Sequence, residues 1–560
     1  MRSSRIAILA AASLAAAACA GGARTGTSAP AGTSAAISEA DLRTRLFLIA
    51  HDSMMGRQTG SEGAYKTADY VASEFRRLGL EPAGDNGTYF QAVPFWIAAV
   101  DRSSSLRAGD VTLAVERDFL PTQVFAEGRT LRDVPVVYGG PALDSTRWIP
   151  ASAAAGKLVV LDVPAGTPLR GLPLGGARWA GAVAVAAPIL DNAPPEQVAR
   201  LRWGRPVPDT GRNPRIMPTL WITRRAAAAL LGADPSTLAP GAGTVRVSGR
   251  FDVARTPTPF PARNVVAILR GSDPARRGQY LSLTAHNDHV GYDHSPVDHD
   301  SLRAVNRVIR PMGADSPPRE PTAAEAGRIR TILDSLRRLH APRLDSIRNG
   351  ADDDGSGTVA LLEIAEALAS AKARPARSIL FVNHTGEEDG LVGSAWYTAH
   401  PTVPLDSIVA EIDEDMVGRG ARDDFPRDNG RTAADPQYLE VIGARRLSRE
   451  FGDTLEAANA RQPIPFTFDY TYDADGHPLQ YYCRADHYNY AKHGIPAVAF
   501  SRGEHLDYHQ VTDEPQYINY PDMARVTRMV FEAARAIGNM THRPALSVPK
   551  PTNPNAPCRQ

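Results

Sequence analysis

Three consecutive carboxylates are the feature of this chain that most needs a chemical reason. Asp352, Asp353 and Asp354 stand in Asn349-Gly-Ala-Asp-Asp-Asp-Gly-Ser-Gly357, a turn bounded by glycines. Adjacent carboxylates repel one another, so a folded chain that buries them needs a cation close by. The run after the turn reads as a helix. Val359, Leu362, Ile364, Ala365 and Leu368 recur near a 3.6-residue period, Glu363 and Glu366 fall off that face, and Asp354 or Ser356 can cap the first turn. Taken alone, the stretch is equally a capping loop with surplus acids. Asp352, Asp354, Ser356, Gly357 and Glu363 also match positions 1, 3, 5, 6 and 12 of a calcium-binding EF-hand loop. That reading fails on helix phase, because the helical pattern already begins near Gly357 and carries Glu363 two turns away from the acids.

Four further groups of acids and imidazoles each follow a run that reads as a buried strand. Tyr280-Leu-Ser-Leu-Thr284 leads into Ala285-His-Asn-Asp-His-Val-Gly291, and Ile379-Leu-Phe-Val382 into Asn383-His-Thr-Gly-Glu-Glu-Asp389. Ile408-Val-Ala-Glu-Ile412 leads into Asp413-Glu-Asp-Met416, and Ala497-Val-Ala-Phe500 into Ser501-Arg-Gly-Glu-His-Leu-Asp-Tyr-His509. With Asn264–Leu269 before them and helices between them, these runs predict a largely parallel sheet covered on both faces. Ligands of such sheets bind at the C-terminal ends of the strands, where all four groups fall. Any one group alone reads as a solvated loop. Together they supply oxygen and imidazole ligands without thiolate, a set suited to catalytic zinc with open positions.

In order along the chain the groups are H-x-D, an Asp triplet, Glu-Glu, Asp-Met and D-Y-H. In these motifs the chain resembles the co-catalytic zinc aminopeptidase family, whose relatives include glutamate carboxypeptidase II and the transferrin receptor. The resemblance covers about 50–93 and 260–540. It implies a doubly wound, mostly parallel α/β sheet holding two Zn²⁺ ions about 3.5–4 Å apart. Carried over position by position, it implies that His286 and Asp415 bind the first zinc, Glu388 and His509 the second, and Asp353 both. Asp288 is then the carboxylate that orients His286, and Glu387 the general base that takes a proton from the attacking water. Asp486-His487 and His505 read as structural or substrate-side groups, and His289 as standing behind the ligands. Two departures bear on substrate preference: 67 residues separate His286 from Asp353, and Glu414 precedes the Asp-Met pair where a hydrophobic residue is common.

The rest of the 560-residue chain frames this site. Residues 1–20 read as a signal peptide, with Arg2 and Arg5 before an apolar stretch too short to span a bilayer. Ala16-Ala17-Ala18-Cys19 resembles a bacterial lipoprotein cleavage site with Cys19 the lipidated residue; ordinary cleavage nearby is the alternative. Residues 21–36 read as a flexible linker. The catalytic domain is expected at 37–93 and 256–543, with a helix opened by Ser38 and another from Ser61 to about Leu78. Residues 94–255 change texture to short β-rich runs punctuated by Gly and Pro. They include Val134–Tyr138, Lys157–Asp162, Ala182–Ala186, Leu220–Thr223 and Val245–Val247, with a small-residue helix over Gly175–Ala182, and resemble an inserted protease-associated domain. Residues 292–348 read as a polar insertion with one helix around Ala323–Leu339, and 544–560 as a disordered tail. Cys483 and Cys558 can pair but form no disulfide framework.

Zero net charge with no long basic run argues against nucleic acid and anionic membrane partners. Membrane attachment is expected only through a lipid at Cys19. The expectation is therefore a zinc exopeptidase exported to a bacterial periplasm or cell envelope, acting on peptides as an aminopeptidase through a water activated by two metals. A carboxypeptidase of the glutamate carboxypeptidase type and a glutaminyl cyclase keep much of the same ligand set and remain alternatives. A non-catalytic, receptor-like protein is disfavoured because every ligand is present, and a serine hydrolase because Ser356 lacks a nucleophile-elbow pattern.

Overall fold

Every residue of the strands Ser378–His384, Tyr280–His286 and Ile408–Glu414 is buried, and these strands form the centre of a nine-stranded sheet. With Ala497–Ser501 they run parallel, side by side in the order just given. The flanks are mixed. Arg263–Leu269 lies antiparallel to Ser378–His384, and Tyr438–Ile442 antiparallel to Ala497–Ser501. The expected parallel sheet is thus a parallel core with antiparallel edges. The computed structural model describes residues 32–167, 172–209, 211–317, 319–339, 341–420, 424 and 437–560. It divides into Met1–Thr33 and Ser34–Gln560, and the second unit is described below. The targeting segment, Cys19 and most of the 21–36 linker lie outside the described residues.

Helices cover both faces of the sheet. On one, Phe75, Leu361, Ile364, Leu455 and Val530 pack against Leu283 and Phe381. They come from the helices Glu62–Arg77, Gly355–Ala369, Arg449–Ala460 and Tyr520–Asn539. On the other, Tyr397 and Tyr490, from Val392–Ala399 and His487–Ala491, pack on Leu380, Val382 and Ile408. Ser38, expected to open the first helix, accepts the Asp41 N–H, and Ser61 caps the second by accepting the Ala64 N–H. This is the doubly wound arrangement that alternating strands and helices predict.

The helix after the triplet, Gly355–Ala369, is buried on all sides up to Leu368, including Glu363 and Glu366. Arg45, itself 1 % exposed, makes both burials tolerable: its guanidinium lies 2.7 Å from Glu363 and 2.6 Å from Glu366. Arg77 adds a second contact to Glu366 at 2.9 Å. Burial still pushes Glu363 up to about 7, with Arg45 pulling the other way. Glu363 therefore serves helix packing rather than a calcium loop.

The strands between 95 and 257 form sheets of their own, one of eight strands and one of three, with no ladder to the nine-stranded sheet among the described residues. Arg129–Pro141, Leu158–Asp162 and Ala184–Pro188 run parallel at the centre of the larger one. The helix expected over Gly175–Ala182 is only a single turn, Ala177–Trp179. Gly176 and Gly181 take positive φ there, which breaks a right-handed helix, and the buried Trp179 anchors the loop. Residues 292–348 hold a strand pair, Tyr292–Asp298 with Leu344–Ile347, and two helices, His299–Ile309 and Ala323–Arg337. The first helix escaped apolar periodicity because its buried side includes His299, Asp300, Arg303 and Asn306.

Residues 544–560 correct the expectation of a disordered tail. They form no helix or strand, yet Ser547 donates its N–H to the Leu447 carbonyl at 2.8 Å and Lys550 meets Asp406 at 3.1 Å. Cys558 is joined to Cys483, with Cα atoms 5.8 Å apart. Composition misled here because backbone hydrogen bonds and a covalent bridge, not apolar burial, fix the segment.

Arg45→Ala leaves two buried carboxylates short of their cation. We expect it to lower unfolding free energy by about 3–5 kcal/mol, measured from urea denaturation midpoints. A loss below about 1 kcal/mol would show that the cluster is not what holds this helix.

Candidate metal centre

The strand ends bring the five motifs together. His286 is the last residue of its strand, Glu387 and Glu388 follow Ser378–His384, and Asp415 follows Ile408–Glu414. His509 comes from the loop after Ala497–Ser501, held at φ 55°. The triplet occupies the turn before Gly355–Ala369, and its three carboxylates have separate tasks. Asp354 accepts the Gly357 N–H at 2.9 Å, capping the helix, and the N–H groups of Met416 at 3.2 Å and His286 at 3.0 Å. Asp352 accepts the Gly418 N–H at 2.6 Å. The outer acids thus fasten neighbouring strand ends. Asp353 is left to face the imidazoles.

Asp353 is shared by two groups able to hold a metal: His286, Asp353 and Asp415, and His289, Asp353, Glu388 and His509. In the first, His286 Nε2 lies 3.3 Å from Asp353 Oδ1 and 3.8 Å from Asp415 Oδ1. In the second, His509 Nε2 lies 2.9 Å from Asp353 Oδ2 and 3.0 Å from Glu388 Oε2. All five residues expected as ligands converge. His289, expected behind them, stands among them, with Nδ1 2.8 Å from Glu388 Oε1 and 3.6 Å from Asp353 Oδ2. Its spacing three residues after His286, across a turn, was the signal that sequence reading undervalued.

These atoms fit a cation better than they fit one another. His286 Nε2, His289 Nδ1, Asp353 Oδ2, Asp415 Oδ1 and Glu388 Oε1 are all buried without a hydrogen-bond partner. Buried polar atoms left in this state are rare and call for an ion. The set of imidazole nitrogens and carboxylate oxygens matches zinc chemistry.

Glu387 belongs to neither group, yet it lines the same cleft as Asp353 and Asp415, with Oε2 3.9 Å from His286 Nε2. Its N–H donates to Asp288 Oδ1 at 3.3 Å. The Asp288 carboxylate also accepts from Thr59 Oγ1 at 2.9 Å. Toward His286, however, it is the Asp288 backbone oxygen that lies closer to Nδ1, 3.2 Å against 3.7 Å for the carboxylate. Asp288 thus orients His286 through its carbonyl and holds the Glu387 loop through its side chain. His505 Nε2 lies 3.3 Å from Asp352 Oδ2, and Asp486 accepts from the Ser394 hydroxyl. Both sit in supporting positions.

Burial raises the carboxyls of Asp353, Glu387 and Glu388, and the neighbours decide the outcome. Asp353 is held well below its usual range because His289, His286 and His509 outweigh burial. Burial acts on Glu388 as well, but His509 and His289 bring it down to about 2. His509 is correspondingly raised to about 10, against burial, by Glu388 and Asp353. Glu387 goes the other way: burial lifts it well above the carboxylate range, His286 opposes, and Asp415, Glu388 and Asp486 add to the rise.

Beneath the site, Arg57 is 1 % exposed and donates to backbone carbonyls only. They include Asn287 at 3.2 Å, Asn349 at 2.5 Å, Gly350 at 2.8 Å and Asp353 at 3.3 Å. This arginine ties the His286 loop to the triplet.

Asp353→Asn removes charge from both groups at once. We expect it to weaken zinc affinity by more than the ~10–100-fold typical of losing an outer partner. Calorimetric zinc titration measures it. Unchanged affinity in the Asp353 variant would contradict a shared carboxylate.

Residues 264–534 match Peptidase family M28. Among solved structures, the chain is similar to an aminopeptidase from Aneurinibacillus at 16% identity, covering 89% of this chain and 93% of that one, with a TM-score of 0.48. A zinc aminopeptidase from Bacillus subtilis matches at 16% identity over 90% of this chain and 95% of that one, TM-score 0.47. A glutaminyl cyclase from Porphyromonas gingivalis matches at 20% identity over 52% and 78%, TM-score 0.31. The family match spans the four parallel central strands, the triplet and every expected ligand from His286 to His509, so residues 264–534 of this chain form a domain of Peptidase family M28, the co-catalytic zinc peptidases, and the chain is a metallopeptidase.

Proposed function

We propose that the protein is an exported aminopeptidase that holds two zinc ions at this sheet edge and removes N-terminal residues from peptides. One observation carries the reading: two separate donor groups meet at a single carboxylate, Asp353, with a further glutamate, Glu387, lining the same cleft outside both groups. His286 and Asp415 would hold one ion, Glu388 and His509 the other with His289 beside them, and Asp353 would serve both. When bound, the zinc ions supply Lewis acidity toward the scissile carbonyl and the attacking water.

The chain's own groups do the rest. Glu387 accepts the proton of the attacking water and returns it to the leaving amine as the peptide bond breaks. The Asp288 carboxylate, gripping the Glu387 N–H and Thr59, holds that glutamate at the cleft. Free amino termini are favoured over carboxylate termini by charge. The cleft presents Asp353, Glu387, Asp415, Glu440 and Glu504, and Arg484 is the one guanidinium among its described lining residues.

The sheets of 94–255 serve as an inserted domain that restricts access to the cleft. Their helix Pro195–Trp203 contacts the strand Tyr292–Asp298, which begins six residues after His286. Export with lipid attachment at Cys19 completes the reading, on the strength of the charged start and short apolar stretch.

Glu387→Gln keeps size and polarity but cannot accept a proton. We expect kcat on free aminoacyl p-nitroanilides to fall about 10²–10⁴-fold with zinc content unchanged. N-acetylated substrates should be inert toward the unsubstituted enzyme. Near-normal turnover in the variant would remove Glu387 as base, and efficient cleavage of blocked peptides would remove the aminopeptidase reading. Mass spectrometry of the mature N-terminus should find a lipid-modified Cys19; an unmodified terminus beyond it would exclude the anchor and leave export intact.

A further inference from the structure

The cleft beside the metal centre has a floor that follows from strand pairing. Tyr438–Ile442 runs antiparallel to Ala497–Ser501 with Glu440 opposite Ser501 and Ile442 opposite Ala499. Side chains alternate along a strand, so Glu440 and Ile442 share a face, and all four residues line the cleft. The result is one polar row and one apolar row. Met416 and Ala485 extend the apolar side, and Tyr481 and Tyr508 add aromatic walls.

The polar side is acidic. Glu440 is 1 % exposed and accepts the Tyr438 hydroxyl at 2.8 Å. Glu504, 7 % exposed, lies 3.2 Å from Arg484, but that same guanidinium is also 2.8 Å from Asp315 of the 292–348 insertion. One arginine therefore serves two carboxylates, and Glu440 makes a third negative group. Neither Glu440 nor Glu504 is among the residues that could hold a metal.

Building on the aminopeptidase reading, we infer that this cleft receives the side chain of the substrate's N-terminal residue and selects lysine or arginine there. The aliphatic stem lies along Met416, Ile442, Ala485 and Ala499 while the charged head reaches Glu440 and Glu504, the division of labour long cationic side chains favour. An acidic side chain would meet two buried carboxylates and an arginine already shared. Burial pushes Glu504 up to about 7, Arg484 opposing and Asp315 and Glu440 adding to the rise, and a cation beside it relieves that strain.

The test uses the full-length zinc enzyme and a panel of Lys-, Arg-, Leu- and Glu-p-nitroanilides. We expect kcat/KM for Lys and Arg to exceed that for Leu by about 10-fold or more. Glu440→Gln and Glu504→Gln should each shrink the Lys/Leu ratio by about 10-fold, with zinc content confirming that the site is intact. Equal or better hydrolysis of Leu, or a Lys/Leu ratio unmoved by both variants, overturns the inference while leaving the aminopeptidase reading. Preference for Glu overturns it in favour of Arg484 as the selecting group. Failure of every free aminoacyl substrate removes the aminopeptidase reading and this inference with it.

Discussion

Asp353 faces two sets of imidazole and carboxylate groups at once, and the surrounding structure is built to keep it there. Its neighbours Asp352 and Asp354 are occupied by backbone N–H groups, so the triplet is not three equivalent charges. Asp513 accepts the N–H groups of Asp352, at 3.0 Å, and Asp353, at 3.2 Å. Arg57 takes the carbonyls of Gly350 and Asp353 from below. The turn is thereby fixed through its main chain, leaving the Asp353 side chain free to act as a ligand. Fixing ligands through a second layer of hydrogen bonds is how metal sites obtain defined geometry.

The fold supplies the convergence. Parallel strands all end at the same edge, so residues far apart in sequence, from His286 to His509, arrive together. The 292–348 insertion meets that edge largely through polar and ring contacts: His299 lies 3.3 Å from Glu514, Arg303 3.7 Å from Asp507, and both pack against the Tyr517 ring. Arg419, buried between Asp424, Asp507 and Asp513, balances the acids behind Asp352. Buried cations at Arg57 and Arg419 thus sit behind the site, and Asp353 and Asp415 line the cleft in front of it.

Much of this was legible from sequence. The central strands are buried on both faces and so read as unbroken apolar runs, and their acidic or imidazole ends stood out against them. The helix of Gly355–Ala369 was legible from the 3.6-residue recurrence of its apolar side chains. Elements held by polar contacts were not. The helix His299–Ile309 buries charged residues, the 544–560 tail is tied by a disulfide and main-chain bonds, and Arg57 acts through carbonyls that carry no sequence signature. His289 could be placed near the site but not within it, because a turn of three residues after His286 can direct a side chain either way. The separate roles of Asp352, Asp353 and Asp354 likewise needed coordinates, since three identical residues offer no distinction in sequence.

The central claim is that two metal ions share Asp353, and anomalous X-ray diffraction from zinc-loaded crystals, recorded on either side of the zinc absorption edge, tests it most directly. The account predicts two anomalous peaks about 3.5–4 Å apart, one beside His286 and Asp415, the other beside Glu388 and His509, with a carboxylate oxygen of Asp353 toward each. A single peak, or two peaks of which only one lies against Asp353, would contradict it.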